Sequence, residues 1–328
     1  MEPPFEVICV HFETSRSLGR RSRRSQRGLS SQRTHMRSAG ESTVSSVTSS
    51  DGTDIACWTS GAGQPLVLVH GTPADHTRWE PLLPYLEPHV TAIAMDRRGC
   101  GASGDHPDYN VAREYEDVAA VVDAVADAFD TPADVYGHSM GAFVAFHAAA
   151  RTPGIRKLAL YEGWPPTNPE VFAYPPGFGE RLDTLLAEGN REALLEAYFR
   201  ELLGMSAEDF RALRAQPSWE GRLASAHTIA RSDRAFFSTR FDPEQAASIS
   251  VPTLLITGGD SPEEFRGDIE WVAAALPDAR TVVIEGQTHV GDVLAPEVFA
   301  GHLLAFVGTS ADEKDAKSWP AIARPPAS

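Results

Sequence analysis

Residues 133–144 read Ala133-Asp134-Val135-Tyr136-Gly137-His138-Ser139-Met140-Gly141-Ala142-Phe143-Val144, and the reading of this stretch decides the fold class. A short β-prone run leads into a serine flanked at two-residue distance by glycines, and an apolar helical pattern over 140–150 follows. The turn between them is so tight that side chains at 137 and 141 would collide with neighbouring backbone, while its strain lifts the Ser139 hydroxyl clear of the strand end. A G-x-S-x-G string by itself is a weak signal. The strand before it and the helix after it make Ser139 a candidate nucleophile rather than a helix N-cap.

Outward from this turn, short apolar runs at 65–69, 90–96, 158–161, 253–257 and 281–284 alternate with helical patterns. The clearest helix, 112–129, places Val118, Val121, Val122, Val125 and Phe129 on one face. Such alternation predicts an α/β fold whose mostly parallel central sheet is flanked by helices on both faces. An antiparallel hairpin, 43–49 with 53–59 across Ser50-Asp51-Gly52, is expected at one sheet edge. The alternation breaks between 163 and 247, where Pro-rich loops precede helical patterns at 180–188, 191–203, 207–215 and 219–237. The expected organisation is therefore a disordered Arg/Ser-rich extension over 1–42, a first part of the core over 43–162, an inserted helical lid over 163–247, a second part of the core over 248–308, and a flexible tail over 309–328.

The chain has 328 residues, 42% of them hydrophobic and 23% charged, which is the composition of an ordinary globular protein with a sizeable core. No apolar run reaches the roughly 18 residues of a membrane span. Net charge is −16; residues 1–40 hold eight Arg and three Glu, leaving 21 basic against 42 acidic residues in the remainder. That folded remainder repels nucleic acid and anionic membranes, so neither is expected as a partner. The Arg-rich segment resembles an organellar transit peptide in composition, but a dispensable extension, such as upstream sequence before a start at Met36, is the favoured reading. Cys9, Cys57 and Cys100 are odd in number and widely spaced, which suggests neither a disulfide framework nor a zinc site and fits a cytoplasmic home.

A serine hydroxyl needs a base, and the base an orienting carboxylate. Asp260 and His289 each lie just past a strand, downstream of Ser139 and in the chain order Ser, Asp, His. His289 is the expected base. Asp260 is the expected acid, with Glu162, just past the 158–161 strand, as its rival; Asp268 and Asp292 read as solvated or capping residues. The oxyanion of an attacked carbonyl needs backbone N–H donors, expected from Met140 and from Thr72 in His70-Gly71-Thr72-Pro73, where His70 braces the loop.

Together with Asp96-Arg97-Arg98-Gly99-Cys100-Gly101-Ala102-Ser103, these motifs resemble the α/β-hydrolase superfamily, in particular its lidded, esterase-like members, from about residue 43 to 307. The resemblance implies that Asp96 and Arg97 bond their own loop together, and the serine at 139 departs from the aspartate of dehalogenases and epoxide hydrolases. It specifies fold far better than substrate. The phosphate-cradling patterns G-x-G-x-x-G and G-x-x-x-x-G-K-[ST] are missing, and neither a cofactor nor a metal is expected.

Trp79, Phe143, Trp164, Trp219, His227 and Val290 are the candidates for an apolar pocket above Ser139. The expected activity is hydrolysis of a small-molecule carboxylic ester or lactone through an acyl-enzyme. The alternatives are the same triad used for carbon–carbon bond hydrolysis, acyl transfer or cofactor-free perhydrolysis and haloperoxidase chemistry, and a non-catalytic ligand-binding protein that keeps the fold. Oligomeric state is not legible in the sequence.

Overall fold

Leu66-Val67-Leu68-Val69 has no polar position, and a strand of that kind is stable only where both of its faces are covered. A computed structural model describes residues 43–167, 174–266 and 268–308. The expected extension over 1–42, the tail over 309–328 and part of the Pro-rich loop lie outside the described residues. Eight strands form one sheet: β1 (Thr43–Thr48), β2 (Asp54–Gly61), β3 (Gln64–Val69), β4 (Val90–Met95), β5 (Ala133–His138), β6 (Ile155–Tyr161), β7 (Thr253–Gly258) and β8 (Ala279–Ile284). Their spatial order is β1-β2-β4-β3-β5-β6-β7-β8. The β1–β2 and β2–β4 pairs are antiparallel and all others parallel, so the expected hairpin does occupy one edge.

The alternation of side chains divides each strand between two cores. Val67 and Val69 face one, with Val135, Leu158, Leu160 and Leu255, beneath helix α1 (Val111–Phe129) and helix α2 (Met140–Ala149). Leu66 and Leu68 face the other, with Tyr136, Ala159 and Ile256. Each fully buried aliphatic side chain contributes about 1.5–3 kcal/mol. Helix α1 begins at Asn110, whose side chain accepts from Ala112 N at 2.9 Å, and ends where Asp130 takes φ +50°. Val118, Val121, Val122 and Val125 are buried, but Phe129 is 40% exposed, so the packed stripe stops at Val125 and does not extend to the last turn.

All the described chain between β6 and β7 is helix and loop: α3 (Phe178–Ala187), α4 (Arg191–Ala197), α5 (Ala207–Arg214), α6 (Trp219–Ser225) and α7 (Ile229–Ser238). The run expected as one helix over 191–203 changes to a wider π turn at Tyr198–Leu202, and the one over 219–237 is broken by a 3₁₀ turn at Ala226–Thr228. These helices close on a core of their own, with Phe178, Leu194, Leu195, Phe199, Phe210 and Trp219. After β7, α8 (Ile269–Ala275) covers the first face with Val272, and α9 (Pro296–Val307) covers the second with Phe299 and Leu303. Among the described residues no helix is long and apolar enough to cross a membrane.

The loop after β4 is held by buried ions. Asp96 accepts from His76 N at 2.7 Å, Ala102 N at 2.9 Å and Trp58 Nε1 at 3.2 Å. Burial alone would raise its carboxyl, but the His76 side chain, the Ala102 N–H and the nearby His70 bring it below the usual carboxylate range. Arg97 pairs with Glu114 at 2.7 Å and donates to Thr72 Oγ1 at 2.9 Å. Arg98 forks both ways, to Asp117 at 2.7 and 2.9 Å and to Asp51 at 2.7 and 3.2 Å, and so ties the hairpin turn, the loop and α1 together. Arg98→Ala leaves Asp117 buried without its cation, and breaking such a pair costs about 3–5 kcal/mol. Urea unfolding is expected to show that loss as a lower midpoint with an unchanged slope.

Candidate active site

Where β5 meets α2, Ser139 has φ +54° and ψ −126°, a conformation that a residue with a side chain rarely adopts. Packing holds it there. A Cβ at Gly141 would lie 2.0 Å from the Val69 carbonyl oxygen, and one at Gly163 would lie 1.8 Å from the Ser139 carbonyl oxygen. Only glycine fits either place. The loop after β3 closes the third side, since a Cβ at Gly71 would stand 2.9 Å from Ser139 Cβ.

The two strands beyond β5 bring in a carboxylate and an imidazole. Glu162 follows β6 with φ +46°, is buried, and its Oε2 lies 2.7 Å from His289 Nδ1. Its other oxygen, Oε1, accepts from Gly258 N at 2.7 Å and Thr257 Oγ1 at 2.8 Å. The favoured sequence expectation, Asp260 against His289, is corrected here. The Asp260 side chain is exposed, and its backbone N–H donates to Gln287 O at 2.9 Å. The reason is local: Glu162 already takes the donors at the end of β7, so the carboxylate beside His289 comes from the end of β6. Phe265 stacks on the His289 ring at 4.3 Å and 24°.

Behind His289 runs a buried polar chain that sequence reasoning missed. His138 Nε2 donates to His289 O at 2.7 Å, while its Nδ1 accepts from Arg78 NH1. Burial and the Arg78 charge push His138 well below the usual histidine range, so it stays neutral and these partners set its tautomer. Arg78 NH2 pairs with Asp292 Oδ2 at 2.5 Å, and Tyr136 OH donates to the same oxygen at 3.0 Å. Asp292 is thus a buried ion-pair partner and not the solvated or capping residue expected; its only sequence signal is its place one turn past His289. Asp268 stands at the start of α8 and accepts from the Thr167 hydroxyl. His70, pushed down to about 3 by burial, bridges Gly71 O at 2.8 Å and Arg97 N at 2.9 Å, which is the bracing expected of it.

Ser139, Met140 and Glu162 line a cavity of about 390 Å³ beneath the helical segment. Its apolar wall is Leu202, Leu203, Phe236, Phe237, Pro262 and Phe265, and its polar side is Tyr198, Glu201 and Asp233. None of the six residues expected in the pocket lines it. Trp79 is buried on the far core against Tyr136, Phe143 is inside α2's core face, Trp219 packs among Phe199 and Phe210, and Val290 is buried. His227 is exposed, with Nδ1 3.1 Å from Ala224 O. Trp164 comes nearest, lining a small recess that shares Glu162, Phe236 and Phe265 with the cavity wall. Bulk and hydrophobicity marked Trp79, Phe143, Trp164 and Trp219 as buried, and burial placed them in the cores. Thr72 is buried beside Gly71, and Met140 opens α2 with its N–H in the first turn, where no intrahelical acceptor exists. Among the described residues no group of three His, Cys, Asp or Glu side chains could hold a metal ion.

A mostly parallel sheet with a strained serine at the end of β5, and a histidine and carboxylate on neighbouring loops, defines an α/β hydrolase. The sequence profile of the α/β hydrolase fold matches residues 64–291, and the chain belongs to this family of enzymes. A non-heme haloperoxidase from Rhodococcus erythropolis is 28% identical over 281 residues, 80% of this chain and 98% of that protein. The crystal structure of an α/β hydrolase from Sphaerobacter thermophilus is 39% identical, covers 80% of this chain and 99% of its own, and superposes with a TM-score of 0.68. An esterase from Exiguobacterium antarcticum shares the fold at 24% identity and a TM-score of 0.62, over 80% of this chain and 99% of its own.

The close contacts at Gly163 make a direct test of the turn. Gly163→Ala must displace the Ser139 carbonyl, and labelling of Ser139 by a fluorophosphonate probe is expected to fall by at least about tenfold. Gly301→Ala, whose Cβ meets nothing within 4 Å, is expected to label like the parent protein.

Proposed function

We propose that this enzyme hydrolyses a carboxylic ester or lactone through an acyl-enzyme on Ser139, with His289 as base and Glu162, in place of Asp260, as the acid. The observation that carries the reading is the 2.7 Å contact between His289 Nδ1 and a Glu162 carboxylate whose second oxygen is already satisfied. A carboxylate on Nδ1–H leaves Nε2 free to accept a proton and stabilises the imidazolium that results.

In the proposed cycle, Ser139 Oγ attacks the carbonyl carbon as its proton passes to His289 Nε2. The N–H groups of Met140 and Thr72 hold the oxyanion. His289 then protonates the leaving alkoxide oxygen, and water, deprotonated by the same imidazole, releases the acid. Arg97, through Thr72 Oγ1, and His70, through Gly71 O, keep the oxyanion loop in place. The described helices within the 163–247 segment serve as the lid that excludes bulk water from the cavity. Hydrogen peroxide in place of water as acceptor is the second reading, favoured by the name of the R. erythropolis relative.

Hydrolysis of p-nitrophenyl esters graded by acyl length is the test. Ser139→Ala is expected to lower kcat by about 10⁴-fold or more, and Glu162→Gln by about 10³–10⁴-fold. Asp260→Asn is expected to stay within about threefold of the parent, since surface changes away from the reacting atoms cost little. Collapse of the Asp260 variant with an active Glu162 variant would reverse the assignment of the acid. Peroxyacid formation outpacing hydrolysis, when peroxide is added, would move the second reading first.

A further inference from the structure

Above Ser139 the cavity holds a carboxyl that the hydrolytic cycle does not use. Asp233, on α7, is 8% exposed and belongs to the cavity wall with Ser139. Tyr174 OH donates to its Oδ2 at 2.5 Å and Tyr198 OH to its Oδ1 at 3.2 Å. Each oxygen keeps a further lone pair. No Lys, Arg or His stands among the described residues lining the cavity, whose other charged groups, Glu162 and Glu201, are carboxylates and whose remaining wall is mostly aromatic rings and aliphatic side chains. Burying a carboxylate without a cation is costly, and hydroxyl donors offset only part of that cost. A cation brought by the ligand completes the balance, and ring faces favour it further.

We propose that Asp233 is the specificity group of this enzyme, pairing with a protonated amine on a substrate whose ester or lactone carbonyl lies at Ser139. The assignment of substrate class rests on the hydrolytic reading above; the amine site itself does not. Alcohol and acid groups of similar size lack the charge that the site recognises, and an anionic substrate meets Asp233 and Glu201 with like charge.

Burial raises the Asp233 carboxyl to about 7, against the two tyrosine donors. The other charged groups nearby leave it without a cation of its own. Arg97, which acts on Tyr198, is engaged by Glu114 and Thr72; Arg234 and Asp183 act on Tyr174 from opposite signs; Glu201 pairs with Arg181 at 2.6 Å. An alkylammonium stays charged across pH 6–8 while Asp233 ionises within that interval. Amine binding therefore strengthens as pH rises through about 7, and the bound ammonium draws the carboxyl downward.

Calorimetric titration of the full chain with n-hexylammonium chloride and with 1-hexanol, in buffered salt at pH 6 and pH 8, is the experiment. At pH 8 hexylammonium is expected to bind about tenfold more tightly than hexanol, and that preference is expected to shrink severalfold at pH 6. Asp233→Asn keeps an acceptor for the tyrosines but no charge, and is expected to abolish the preference. Tyr198→Phe keeps the charge but removes one donor, and is expected to move the pH midpoint of amine binding upward. Equal affinity for the two ligands, or a preference that survives in Asp233→Asn, overturns the proposal, as does an unmoved midpoint in Tyr198→Phe. The titrations are repeated on Ser139→Ala, which needs no turnover. A protein that binds the amine but cleaves no ester removes the hydrolytic reading alone, and one that cleaves neutral esters without amine preference removes the amine site alone.

Discussion

The approach of the Val69 carbonyl to Gly141 is the contact on which the rest of the site depends. At this point β3, β5 and the start of α2 are pressed together with no room for a side chain, and the chain turns in a single strained residue. Glu162, one strand over, has a second positive φ, and Gly163 lies against the Ser139 carbonyl. Such conformations cost of order 1–3 kcal/mol each and persist only where the surroundings leave no alternative. The parallel strands supply that constraint. β3 and β5 are buried on both faces, and relaxing the turn would require them to separate.

A second theme is the placement of cations. The chain is strongly acidic, yet Arg78, Arg97 and Arg98 are all buried, each against a carboxylate: Asp292, Glu114 and Asp117. Their work is positional. Arg98 joins the hairpin turn to α1, Arg97 supports the loop that carries Thr72, and Arg78 acts through His138 on the backbone of His289. With the nearby arginines engaged behind the site, the cavity in front of Ser139 faces the ligand with carboxyl, hydroxyl and aromatic groups.

The carboxylate beside His289 and the cavity wall separate what could be read from what could not. Chain order supported both Asp260 and Glu162, because either lies just past a strand on the same side of Ser139. Hydrogen-bond supply at the end of β7 distinguished them: Gly258 N and Thr257 Oγ1 both point at Glu162. The four aromatic pocket candidates, Trp79, Phe143, Trp164 and Trp219, miss the cavity for a related reason. Large apolar side chains in this sequence serve the two sheet cores and the core of the helical segment, and hydrophobicity alone does not tell which of them faces a void. Tyr198 and Phe236 carried the same signal as Trp79 and Phe143; the break at Ala226–Thr228 and the π turn at Tyr198–Leu202 reorient α7 and its neighbours over the cavity.

By itself the sequence determined the strand and helix alternation, the edge hairpin, the strained serine and the histidine beyond the last strand, because each follows from local periodicity or local backbone sterics. Tertiary structure alone decided that Glu162 meets His289, that Asp292 is buried against Arg78, and that Asp233 stands in the same cavity as Ser139. Each of those joins groups far apart in the chain, whose meeting depends on sheet order and helix packing, and no local pattern of residues encodes that distance.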